Sequence, residues 1–226
     1  MATILTYVLS LHVASGFVAL ATGAAALVAA KGRPVHRKAG RIYFWAMTLV
    51  FVTALALAGF RFNRFLFMIS FLSYYSVFAG VRALRLKTLH RGQNPAWFDW
   101  AAGLINAGMN VLFVGFGIQI LLGHPPRIAS ALMYIGFGVG GWSISYANLK
   151  PFVVRPTAAY HWYLTHTVNM MGSYIATCTA FLSTLVSRFQ VPYPFLAFVL
   201  PSLIGIPVLL WWQYQKEQAF KKPKSA

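Results

Sequence analysis

A chain of 226 residues that is 59% hydrophobic and only 9% charged lies far below the roughly 25% charged residues of a soluble domain, which excludes a water-soluble fold. Its 19 Lys and Arg against 2 Asp and Glu give a net charge of +17, but these charges fall in short breaks between apolar stretches. That pattern argues against the contiguous basic surface that nucleic acid requires.

About 20 apolar residues cross a bilayer as a helix, and seven segments reach that length: 4–30, 42–60, 64–86, 99–122, 128–148, 159–187 and 193–215. The first has no basic stretch before it and a positive cluster after it, the reverse of a secretory signal, so it is expected to stay as a helix. It carries His12 above Ser15, with Gly16, Ala19 and Gly23 as a small-residue face. His36, Arg37 and Arg41 follow in the first connecting loop, and Tyr43 stands at the start of span 2. Span 3 offers Ser70 and Ser73 with Tyr74 and Tyr75. Span 4 opens with Asp99 and carries Asn106 and Asn110 one turn apart. Span 5 holds Gly136, Gly138, Gly140 and Gly141, small residues that let helix backbones approach in lipid. Span 6 has His161 near its start, then His166, Asn169, Ser173 and Thr177 at spacings of three and four, one face of a helix. Span 7 has no lysine, so a retinal Schiff base is ruled out.

The gaps after spans 1, 3 and 5 and the C-terminal tail hold Lys31, Arg33, Arg37, Lys38, Arg41, Arg82, Arg85, Lys87, Arg91, Lys150, Arg155, Lys216, Lys221, Lys222 and Lys224. The other gaps hold Arg61, Arg64, Arg127 and Arg188. Positive residues in short loops mark the cytoplasmic side, so the N-terminus is expected outside and the C-terminus inside. All seven tryptophans (Trp45, Trp97, Trp100, Trp142, Trp162, Trp211 and Trp212) fall near the span ends given to the inner side, where interfacial aromatics belong. The expectation is a single all-α domain over 1–226, an integral membrane bundle of seven transmembrane helices in a bacterial inner membrane. Residues 216–226 form its basic cytoplasmic tail, and anionic lipid headgroups meet its basic face.

Polar groups are costly in hydrocarbon and mark function when they lie within spans. With a rise of 1.5 Å per residue, His12 falls roughly 7 Å outside the midplane and His166 roughly 11 Å inside it, too far apart to hold one haem iron between them. His12 shares its level with Ser70 and Ser73; Asn106 and Asn169 lie just above His166. Two polar layers result, and the inner one is richer. His161 and His166 are five apart and sit on different helical faces, so a metal site drawn from His36, His161 and His166 needs a ligand from elsewhere. One cysteine, Cys178, leaves no disulfide framework, CxxC or cysteine zinc site. No acidic pair within a span, GxSxG or Walker motif is present, so no catalytic constellation is recognisable.

The runs His12-Val-Ala-Ser-Gly16-Phe-Val-Ala-Leu20-Ala-Thr-Gly23 and Gly32-Arg-Pro-Val-His36-Arg37-Lys-Ala-Gly40-Arg41-Ile-Tyr43, with Met47, resemble a bacterial family of predicted multi-pass membrane proteins. That family is catalogued as domain of unknown function two-three-zero-six or a close relative. Span 6 is similar as well, with His166, Met170, Ser173-Tyr174-Ile175-Ala176 and Thr179-Ala180-Phe181. Where many members carry arginine this chain has Gly172, so an anion-binding role common to the family does not carry over. The resemblance implies no reaction.

The expected function is binding of a small redox-active or amphiphilic ligand, haem or quinone, in the inner layer. His12, His36, Arg37, Arg41, Tyr43, Asn106, Asn110, His166, Asn169 and Ser173 are the ligand-binding candidates. Histidine would serve as axial ligand or hydrogen-bond donor, and Arg37 or Arg41 would pair a propionate or headgroup. The alternatives are a small-solute permease using Asn106, Asn110, Asn169, Ser173 and His12 as a polar path, and an assembly subunit with a protein partner.

Overall fold

The structure, a computed structural model, describes residues 2–60, 62–190 and 194–221; Arg61, Lys222 and Lys224 of the charge pattern lie outside them. Among the described residues the fold is all-helical: α1 (Ala2–Val28), α2 (Pro34–Phe60), α3 (Arg64–Ala83), α4 (Trp97–Leu122), α5 (Ile128–Val153), α6 (His161–Phe189) and α7 (Pro194–Lys221), with a 3-10 turn at Leu89–Arg91. Six of these, α1 to α6, contain stretches long and apolar enough to cross a membrane.

Local chemistry sets the helix ends. Gly32 takes the left-handed conformation (φ +76) in the turn after α1, and Pro34 opens α2, where its missing N–H costs nothing. Helix α2 therefore begins eight residues before the expected span, and His36, Arg37 and Arg41 lie on its first turns rather than in a loop. A run this polar lies beyond the apolar core, so hydropathy alone cuts it away. Asn63 caps α3 by accepting from the Leu66 amide at 3.0 Å. Helix α5 continues through Pro151 to Val153, and α7 continues to Lys221, so the first part of the expected tail is helical. Prolines are tolerated inside such helices because neighbouring elements satisfy the freed carbonyls.

The packing is inverted relative to a soluble protein. Ser15, Thr53, Asp99, Asn106, Asn110, Ser145, Asn148, Asn169 and Ser173 are buried, whereas Tyr7, Leu104, Val111, Leu132 and Leu203 are exposed. That distribution suits a lipid environment, where only the helices' own contacts can satisfy polar groups. The strongest contacts pair α1 with α2, α4 with α5, α3 with α6 and α6 with α7. Two apolar clusters flank α3: one of Ala19, Tyr43, Ala46, Met47 and Val77, the other of Met68, Ile69 and Phe113.

Short connections make sequential helices run antiparallel, and contacts across the bundle identify what gathers at one end. Lys87 of the α3–α4 connection lies 4.5 Å over the Trp162 ring at the start of α6. Tyr160 stacks on Phe220 of α7 at 4.7 Å. His36 of α2 meets His166 of α6 with ring centroids 6.4 Å apart. This is the basic end. At the opposite end Arg64 lies 4.1 Å over the Phe116 ring.

Candidate functional site

A cavity of about 530 Å³ is walled by α1, α2, α3 and α6, within the range of small-molecule sites. It exists because small residues face one another across it: Gly16 on α1, Ala54 and Ala58 on α2, Ala176 and Ala180 on α6. A Cβ added at Gly16 would meet nothing within 4 Å. Phe17, Leu20, Leu57, Phe67, Phe181 and Leu185 give it an apolar body. Its polar groups are His12, Ser70, Ser73, Thr177 and Thr184, with Asn63 and Arg188 at the end away from the basic loops. His12, Ser70 and Ser73 thus line one space.

The tautomer of His12 follows from its partner. His12 Nδ1 lies 2.8 Å from Thr53 Oγ1, and that hydroxyl lies 2.6 Å from Leu49 O and 3.0 Å from Val50 O. Two oxygens approach to 2.6 Å only with a proton between them, so Thr53 donates to its own helix and accepts from His12. Neutral His12 therefore carries its proton on Nδ1 and a lone pair on Nε2. The same reasoning fixes two more histidines, because a carbonyl can only accept. His36 Nδ1 donates to Ala26 O at 2.9 Å and His166 Nδ1 to Gly80 O at 2.8 Å.

Beneath the cavity, Tyr43 is wholly buried and its hydroxyl lies 2.9 Å from Ser173 Oγ and 3.2 Å from Thr177 Oγ1. Ser173 donates to Met170 O and Thr177 to Ser173 O, so the single Tyr43 hydroxyl proton is directed between these two acceptors, nearer Ser173. This ties α2 to α6 beside Met47 and Thr177, which line the cavity.

The inner candidates divide into separate groups. Asn106 Nδ2 donates to Ser145 Oγ at 2.8 Å, and Asn110 Nδ2 to Asn106 O at 2.7 Å, both inside the α4–α5 contact. Asn169 and Asn148 exchange reciprocal bonds of 2.8 and 2.9 Å between α6 and α5. Arg37 and Arg41 are exposed on α2. His161 is apart from the other two metal candidates: its nitrogens meet Ala158 O and Leu86 O, and its ring contacts His90 at 5.9 Å. His36 and His166 do come together, but among the described residues no three of His, Cys, Asp and Glu converge as metal ligands. Nearby, in the first connection, burial and then the charge of Lys216 hold the Lys31 ammonium below its ordinary pKa.

Four partners escape a reading of sequence alone. Thr53 orients His12, Ser145 and Asn148 complete the asparagine bonds, and Arg82 binds Asp99 through Nε–Oδ1 at 2.6 Å and Nη2–Oδ2 at 2.8 Å. Arg82 counts equally well as a topology charge and Asn148 as a span end, so neither announces a partner. Comparisons with family models, with curated proteins and with solved structures find no match to this chain.

Proposed function

We propose that the chain is a seven-span protein of a bacterial inner membrane, N-terminus outside and C-terminus cytoplasmic, that binds a small amphiphile in the α1–α2–α3–α6 cavity. The carrying observation is that cavity, mostly apolar, with His12 on its wall and Arg188 at one end. The charge bias supports the orientation, with the cavity in the outer half and anionic headgroups at the basic face. Helix α7, 28 residues long, has the length of a seventh span.

A quinone-sized ligand suits this space, its ring or chain among the apolar walls and its polar end toward Asn63 and Arg188. A haem iron would instead find an imidazole pair at His36 and His166, whose Nε2 lone pairs are unengaged among the described residues. The permease reading needs Asn106, Asn110 and Asn169 along a path, whereas all three are engaged in helix contacts. The cavity reading uses groups that remain open.

Photo-crosslinking tests it. An alkyl diazirine probe equilibrated with the protein in lipid nanodiscs should label 13–20 of α1, 50–58 of α2 and 176–185 of α6. Saturation by unlabelled amphiphile should suppress that labelling. Labelling confined to lipid-facing residues such as Leu104 and Ile118 would remove the proposal.

A further inference from the structure

The cavity's hydrogen-bonding groups are of one kind. Ser70 Oγ donates to Phe67 O at 2.6 Å, Ser73 Oγ to Ser70 O at 3.3 Å and Thr184 Oγ1 to Ala180 O at 2.8 Å. Thr177 Oγ1 likewise donates to Ser173 O at 2.9 Å. Each hydroxyl proton goes to its own helix, the usual local bond of Ser and Thr in helices, which leaves the oxygens of Ser70, Ser73 and Thr184 with lone pairs, whereas Thr177 already faces the Tyr43 hydroxyl. His12 adds Nε2, since its proton is held on Nδ1 by Thr53. Four wall groups, Ser70, Ser73, Thr184 and His12, are therefore open acceptors. The donors lie at the end away from the basic loops, where Asn63 Oδ1 is used by the Leu66 amide, leaving Nδ2, and Arg188 offers its guanidinium.

We infer that the cavity selects an amphiphile whose body carries a hydroxyl donor (a phenol, hydroquinone or alcohol) over the same body bearing only acceptors. The inference rests on the cavity reading above and adds the ligand's chemical class. A hydroxyl placed beside His12 donates to Nε2, the strongest neutral acceptor on the wall. An ether or quinone oxygen there faces lone pairs with no proton between them. Buried acceptors discriminate in this way because the wrong analogue leaves both sides unpaired.

Equilibrium dialysis of the full chain in lipid nanodiscs against 4-nonylphenol and its methyl ether tests it. The phenol should bind roughly fivefold to tenfold tighter to wild type, the range of one neutral hydrogen bond. In His12→Phe the two probes should bind within about twofold of each other. Equal binding by wild type, or a preference that survives in His12→Phe, overturns the inference and leaves the cavity reading standing. Saturable binding of neither probe overturns both. A measurement without any variant guards against misfolding: the ¹⁵N signal of His12 Nε2 should be of the unprotonated type and shift with the phenol but not the ether. A protonated Nε2 in the unliganded protein overturns the inference.

Discussion

Replacing Asp99 with alanine lowers stability by about 3 kcal/mol in a denaturant titration of the detergent-solubilised protein, the low end of the cost of breaking a buried ion pair. The low end applies because the Arg82 side chain is 23% exposed whereas Asp99 is 2% exposed. Asp99 also accepts from the Ala96 amide at 2.8 Å and so caps α4, and loss of such a cap costs typically ~1 kcal/mol. The double variant Arg82→Met, Asp99→Leu should recover most of the loss, since no charge is left unpaired, and retain only the capping deficit. If the double variant is as unstable as Asp99→Ala alone, the ion-pair account fails. The other acidic residue gives the contrast. Glu217 pairs with Lys221 one turn away on the surface of α7, so Glu217→Gln should leave stability unchanged.

Gly141→Val should be equally damaging, at about 3 kcal/mol, the upper range for overpacking a close contact. Asn110 is buried with its carboxamide oxygen directly against Gly141, where any Cβ would overlap it. That oxygen has no hydrogen-bond donor among the described residues and occupies the place a Gly141 side chain would take. A side chain there forces α5 away from α4 and breaks the Asn106–Ser145 bond. Gly136→Val and Gly140→Val meet open space and should be close to neutral. Four variants in one thermal-shift series decide the matter, with Gly138→Val grouping with Gly141→Val because its Cβ would lie 2.8 Å from Asn110 O. Similar melting temperatures for all four would contradict the packing.

Those glycines show what a sequence can and cannot say in lipid. All four of α5 look alike as small residues, yet Gly138 and Gly141 face α4 and Gly136 and Gly140 face outward. In a soluble helix the apolar face announces the contact; here both faces are apolar and periodicity carries no such signal. Six helices long and apolar enough to cross a bilayer were legible because bilayer thickness demands a minimum apolar length, and the basic residues opening α2 were not, because they extend a helix past its apolar stretch. Rise per residue puts His12 level with Ser70 and Ser73, and all three line one cavity. Rotation about the helix axis was the missing quantity, so Thr53 as the partner of His12 stayed hidden. The cavity itself was hidden for a related reason. Gly16, Ala54, Ala58, Ala176 and Ala180 read as close-packing residues, but where small residues oppose one another they leave space.

Native mass spectrometry of the protein released from nanodiscs of its own membrane, beside Gly16→Phe, reads directly whether the cavity holds a ligand. Gly16 has room for a side chain and borders the cavity, so phenylalanine there fills the ligand's volume without displacing a helix. The account predicts a discrete small-molecule adduct on wild type that is absent from a Gly16→Phe variant of unchanged melting temperature. An adduct of equal mass and occupancy on both proteins, or none on wild type, would contradict it.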